Sequence, residues 1–119
     1  MQSFRNLDVW ERAHALTLDI YRTSTSFPSE EKYGLTSQMR RSSASVGANI
    51  AEGCCRKGDG EFGRFLQIAM GSASELEYHL LLAHDLNFLK APDYQRLVED
   101  ATRVKRMLTS LIQKLRADS

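Results

Sequence analysis

Apolar side chains along this chain recur at intervals of three and four residues, the period of a helix with one face turned inward. Val9, Ala13, Leu16 and Ile20 form the first stripe, widened by Trp10, Thr17 and Tyr21. It predicts a helix from about Asp8 to Ser24. The weak helix formers Thr23, Ser24, Thr25 and Ser26, followed by Phe27-Pro28, close it. A second stripe, Leu35, Met39, Val46 and Ile50, predicts a helix from Leu35 to about Arg56. Its middle is occupied by Ser42, Ser43, Ala44, Ser45, Gly47 and Ala48, all small enough to let a neighbouring backbone come close on more than one side. Gly47 costs about 1 kcal/mol of helix propensity against alanine, so a close contact or a bend is expected there.

The third helix is expected to begin after Gly58-Asp59-Gly60, with Asp59 as its cap, and to run to about Asn87. Phe62, Phe65, Leu66, Ala69, Ala73, Leu76, Leu80 and Ala83 form its main core stripe. Met70, Leu81 and Phe88 make a second apolar line, and Ile68, Leu82 and Leu86 a third. Only the strip through Gln67, Ser74, Tyr78 and Asp85 reads as solvated. A helix so apolar around its circumference needs cover on most sides, more than one small chain provides. A homo-oligomer is therefore expected. Pro92-Asp93 opens the fourth helix, in which Leu97, Ala101, Val104, Leu108, Leu111 and Leu115 keep a heptad alternation up to about Arg116. Short loops between long helices imply antiparallel neighbours. The expected fold is all-α: residues 1–119 as one up-down-up-down four-helix bundle domain.

Composition narrows the function classes. Sixteen Lys and Arg against fifteen Asp and Glu leave a net charge of +1, too little for a protein that coats nucleic acid, although a local patch is compatible with it. No apolar run approaches the ~20 residues of a membrane helix, and the polar start Met1-Gln2-Ser3-Phe4-Arg5-Asn6 is no signal peptide. Adjacent Cys54 and Cys55 make no disulfide framework, so a reducing cytoplasm is the expected compartment.

Several catalytic patterns fail on spacing. A di-iron bundle needs Glu-x-x-His pairs, but Tyr78 follows Glu75 at that distance and Cys55 follows Glu52. His79 and His84 lie about 140° apart around a helix and cannot hold one ion from a shared face. With His14 they read as partly exposed helix residues. Gly58, Gly60 and Gly63 spell G-x-G-x-x-G, yet a helix precedes them where the dinucleotide motif requires a strand. No serine has a histidine at helical spacing, and Cys54-Cys55 beside Arg56 and Lys57 suggests at most some thiolate character. No enzyme, no metal and no cofactor is expected.

Two sets of side chains remain. Gln38, Arg41, Ser45, Asn49, Glu52 and Arg56 share one face of the second helix. Serine and asparagine are poor choices for a merely solvated helix face, so a polar network at a helix or subunit interface is expected there. Arg40, Arg41, Arg56 and Lys57 form the candidate RNA-contacting group, with a further basic stripe of Arg96, Arg103 and Lys114 on the fourth helix.

Leu7-Asp8-Val9-Trp10 with Ala13, Phe27-Pro28, and the run from Tyr33 through Gly34-Leu35-Thr36-Ser37-Gln38-Met39-Arg40-Arg41 resemble the 23S ribosomal RNA intervening-sequence protein family. Asn49-Ile50-Ala51-Glu52-Gly53 followed by Arg56 is similar to its most recognisable motif. Phe62, Phe65-Leu66 and Gly71-Ser72 with Glu75-Leu76 continue the likeness, which covers nearly the whole chain. The resemblance implies a four-helix protomer in a ring-like homo-pentamer. It also implies kinship with the accessory variability determinant of diversity-generating retroelements, a basic pentamer working with a reverse transcriptase and RNA. The expected function is thus a non-enzymatic oligomeric bundle with an RNA- or ribonucleoprotein-binding role. The alternative is a protein-interaction scaffold or accessory subunit of another enzyme, without nucleic-acid contact and without a membrane.

Overall fold

The computed structural model describes residues 3–118 and contains four long helices: α1 (Asp8–Thr23), α2 (Leu35–Cys54), α3 (Asp59–Asp85) and α4 (Ala91–Asp118). Short 3-10 turns at Phe4–Asn6, Ser24–Ser26 and Ser29–Glu31 lead into and out of α1 and towards α2. Side-chain pairings fix the directions. Trp10 lies against Gly47 and Arg40 over Tyr21, so early α1 meets late α2. Ser42 meets His79 while Gly53 meets Phe62 and Phe65, so α3 runs back along α2. Glu77 with Lys105, and Asp19 with Arg96, reverse α4 against both α3 and α1. The result is the up-down-up-down bundle, 46 × 22 × 20 Å, with one apolar core drawn from all four helices. No helix among the described residues is long and apolar enough to cross a membrane.

The helix ends show how local chemistry sets the boundaries. Beyond Cys54, the amides of Cys55 and Arg56 bond back to Glu52 and Gly53, so α2 stops two residues before the expected Arg56. Asp59 is the first residue of α3 and not its cap. Gly58 precedes it with φ of +84°, a backbone conformation that a side chain disfavours. At the other end α3 stops at Asp85 and not near Asn87, which itself adopts a positive φ of 65° in the turn that follows. Pro92 occupies the first turn of α4, where a missing amide hydrogen costs little. The Glu31 carboxylate accepts the Leu35 amide at 3.0 Å and caps the start of α2.

Two kinds of interhelix contact deserve comparison. On the rim, Arg96 donates to both carboxylate oxygens of Asp19 at 2.9 Å and also reaches Asp93. Its hydrogen bonds hold the Asp19 carboxyl below its ordinary value, with Thr23 helping, against the opposing effect of burial. In the core, Gly53 lies so near α3 that a Cβ would stand 2.9 Å from both Phe62 Cδ1 and Phe65 Cβ. Gly47 is different: an added Cβ would meet only the Trp10 indole, at 3.5 Å. Close contact therefore explains Gly53 far better than Gly47.

Gly53→Ala is accordingly expected to destabilise the protein by about 1–3 kcal/mol through overpacking against the Phe65 stem. Gly47→Ala should stabilise it by up to about 1 kcal/mol through helix propensity. Urea midpoints of the two variants check both signs. A depressed folded-state carboxyl contributes stability that is present above its unfolded value and lost as pH falls through the folded one. Asp19→Asn should therefore flatten the fall in melting temperature on the acid side of about pH 4, compared with the unchanged protein.

Candidate functional site

The expected polar stripe on α2 divides into three parts. In its centre, Ser45 and Ser72 share a hydroxyl hydrogen bond of 2.9 Å, and the Asn49 amide donates to the Ser45 carbonyl at 2.8 Å and to its hydroxyl at 3.0 Å. This is a half-buried network between α2 and α3. Towards the C-terminal end, Glu52 and Arg56 form a one-turn ion pair of 2.8 Å with both side chains about half exposed (51% and 47%). Towards the N-terminal end, Gln38 and Arg41 are exposed and their side chains make no hydrogen bond among the described residues.

The four candidate RNA-contacting cations do not form one patch. Arg40 turns towards α1, donating to the Ser24 hydroxyl at 2.9 Å and to the Tyr21 carbonyl at 3.1 Å, and lies over the Tyr21 ring. It satisfies a carbonyl at the end of α1, one of the orphan acceptors of a helix terminus. Arg56 is held by Glu52 and covers the Phe65 ring together with Arg64. Arg41 and Lys57 remain exposed, but sixteen residues of mostly helical chain separate them, about 24 Å at 1.5 Å each. On α4 the stripe divides as well. Arg96 is engaged with Asp19 and Asp93, whereas Arg103 and Lys114 are exposed without a partner among the described residues.

His79 corrects the expectation of partly exposed histidines, because only 5% of it reaches solvent. Its Nδ1 lies 3.3 Å from the Ser42 hydroxyl and its Nε2 lies 3.8 Å from Glu75. Helical spacing within one element had concealed this serine–histidine pair, which forms only when α3 closes on the small side chains of α2. The Ser42 hydroxyl also donates to the Met39 carbonyl at 3.2 Å. Ser42 lies inside α2, where backbone amides are taken up by helix bonds and none is left to stabilise an oxyanion. The pair thus joins α2 to α3. Cys54 is buried, and burial foremost, with Cys55 next, pushes its thiol up in pKa and away from thiolate character.

Around these groups the outer surface of α2 and α3 is open. Of the three apolar lines on α3, Met70, Leu82 and Phe88 pack against the core, while Ile68 (41%), Leu81 (43%) and Leu86 (47%) stay exposed. Tyr78 is 59% exposed, on the strip expected to face solvent. Exposed Ala44 and Ala48 form a low floor on α2. Beside them a cleft of about 600 Å3 runs from Tyr21 on α1 past Arg41 and Ser45 to Ser72 and Glu75 on α3.

A family model described as 23S rRNA-intervening sequence protein matches residues 5–110. The chain belongs to that family. One solved relative of this intervening-sequence protein is a protein of unknown function from the S23 ribosomal protein family of Bacteroides thetaiotaomicron. Its crystal structure superposes with a TM-score of 0.79 at 26% identity, covering 87% of this chain and 97% of the other. No curated protein matches the sequence.

The exposure of both partners places the Glu52–Arg56 pair among solvated helix pairs. Glu52→Ala should change the unfolding free energy by less than about 0.5 kcal/mol, read from denaturant midpoints.

Proposed function

We propose that this intervening-sequence protein is a non-enzymatic, self-associating helical bundle that serves an RNA or ribonucleoprotein, with a homo-pentameric ring as its favoured form. The reading rests above all on the uncovered α2–α3 surface. There Ile68 presents apolar area beside a floor of Ala44 and Ala48, with exposed Tyr78 further out on α3. Small side chains allow a partner helix to approach closely, and exposed apolar area on a folded chain marks contact surfaces. Unpaired Arg41 and the half-satisfied Glu75 border the same surface and supply polar groups for a rim. A ring follows when one patch meets a different patch on the next copy and the rotation closes.

The alternative, a scaffold or accessory subunit that touches no nucleic acid, draws support from Arg40 and Arg56, two of the four candidate cations, being engaged inside the protomer. RNA retention that falls steeply with salt supports the first reading, and salt-insensitive capture of a protein supports the second.

Light scattering at micromolar concentration should give several times the protomer mass of 13.5 kDa. Ala44→Arg with Ala48→Arg should yield a folded monomer, because both positions are exposed in the protomer and arginine suits a helix. A stable monomer of the unchanged protein would remove the self-association reading.

A further inference from the structure

The notable charge asymmetry of the molecule lies on α4. Residues 101–117 contain five basic side chains and no acidic one. Lys105 is bound to Glu77 at 2.6 Å, and Arg116 is engaged within the chain. Arg103, Arg106 and Lys114 are exposed and have no partner among the described residues. At 100° per residue these three fall within an arc of about 80°, and they span about 16 Å of helix length. The Ser110 hydroxyl lies inside the same arc. Arg12 of α1 faces Arg103 across a shallow groove and adds a fourth cation.

We propose that this flank of α4 is the surface on which a single strand of RNA lies, its phosphates held by Arg103, Arg106 and Lys114. The assignment rests on the RNA reading above and moves its contact surface from α2 to α4. Three observations favour it. The cations are unpaired, whereas two of the four on and beside α2 are engaged in the fold. Unpaired arginine and lysine beside a hydroxyl are the groups that contact nucleic-acid backbones. Next to them a cleft of about 420 Å3 between α1 and α4 is lined by the apolar Leu7, Val9, Met107 and Leu111, with Arg106, Lys114 and one carboxylate, Asp8, among its polar groups. A duplex presents phosphates and groove edges to such a surface, whereas an unstacked strand can also turn a base face onto the apolar floor.

Acidic groups stand nearby and set the strength of the surface. Asp8 and Glu11 occupy the first turn of α1, where their charge complements the helix dipole. Glu99 lies one turn before Arg103 on α4 and is exposed. One protomer therefore offers a weak site. The α2–α3 surface proposed for self-association is a different side of the bundle, and an assembly whose second contact patch lies away from this flank of α4 repeats the flank in every copy, so that weak contacts multiply.

The test uses a fluorescently labelled twenty-nucleotide oligouridylate and the full-length assembled protein. Arg103→Ala, Arg106→Ala and Lys114→Ala together should weaken binding at least tenfold in ~50 mM salt. They should also lower the slope of log affinity against log salt by about 2, three contacts at roughly 0.7 each for a single strand. Melting temperature and assembly mass should be unchanged, since the three side chains are exposed and make no hydrogen bond or ion pair among the described residues. Arg41→Ala with Lys57→Ala should leave affinity within about twofold. If the triple variant binds like the unchanged protein while the Arg41 and Lys57 pair abolishes binding, the α4 assignment is overturned and the RNA reading stands. Absence of any binding by the unchanged protein at this salt overturns both. Polyglutamate that binds as tightly, and is lost in the same triple variant, identifies an acidic protein partner and overturns the assignment to RNA.

Discussion

The approach of α2 to α3 governs the rest of the molecule. At Gly53 the two helices come so close that even a methyl group would press on Phe62 and the Phe65 stem. Further along the seam, Ser45 meets Ser72, and Ser42 meets His79, contacts that only short side chains on α2 permit. Helices this near leave little room for large apolar side chains between them, so hydrogen bonds carry part of the seam. Every buried side-chain nitrogen and oxygen among the described residues has a partner, as a polar seam requires to avoid the cost of desolvated groups. The bulky core residues Leu66, Leu76, Leu80, Leu97 and Leu108 then fill the space on the inner side of α3.

The same small residues have a second consequence. A helix that carries Ala44, Ser45 and Ala48 on its outer side cannot screen the apolar side chains of its neighbours, as long lysine or arginine stems would. Ile68 is left open for that reason. Meanwhile several cations that a sequence count treats as surface charge are engaged internally. Arg40 closes the end of α1, Arg56 and Arg64 stack on Phe65, and Arg96 bridges α1 and α4. A net charge of +1 therefore conceals an uneven distribution, with three unpaired cations and no acidic side chain along residues 101–117 of α4.

The four helices were legible because heptad and three-four spacing reports burial directly, and Val9, Leu16, Leu76, Leu97 and Leu108 are all buried where that spacing placed them. Helix ends were legible to within two residues, the misses at Asp59 and Arg56 arising where glycine and turn bonds decide the boundary. The site was less legible. A stripe on one helix names residues that share a face, but it cannot say which neighbour each one meets. Ser45, with Asn49 bonded to it, proved to be joined to α3, Arg56 to Glu52 and Phe65, and Arg40 to α1. His79 was misjudged because its partner is thirty-seven residues away in sequence, a tertiary contact with no local periodicity.

Two requirements divide the surface between them. A face that docks against another copy gains from small, uncharged side chains, because burying an unpaired charge is costly and a close backbone approach is favourable. A face that holds a polyanion gains from exposed, mobile cations and loses them if they are drawn into internal pairs. α2 meets the first requirement in its outer middle, where Ala44 and Ala48 carry no charge. α4 meets the second in its C-terminal half, where Arg103, Arg106 and Lys114 form no ion pair among the described residues. The bundle topology keeps these apart, since α3 is set between α2 and α4 on one side and α1 on the other. Assembly on one face therefore need not compete with binding on the other.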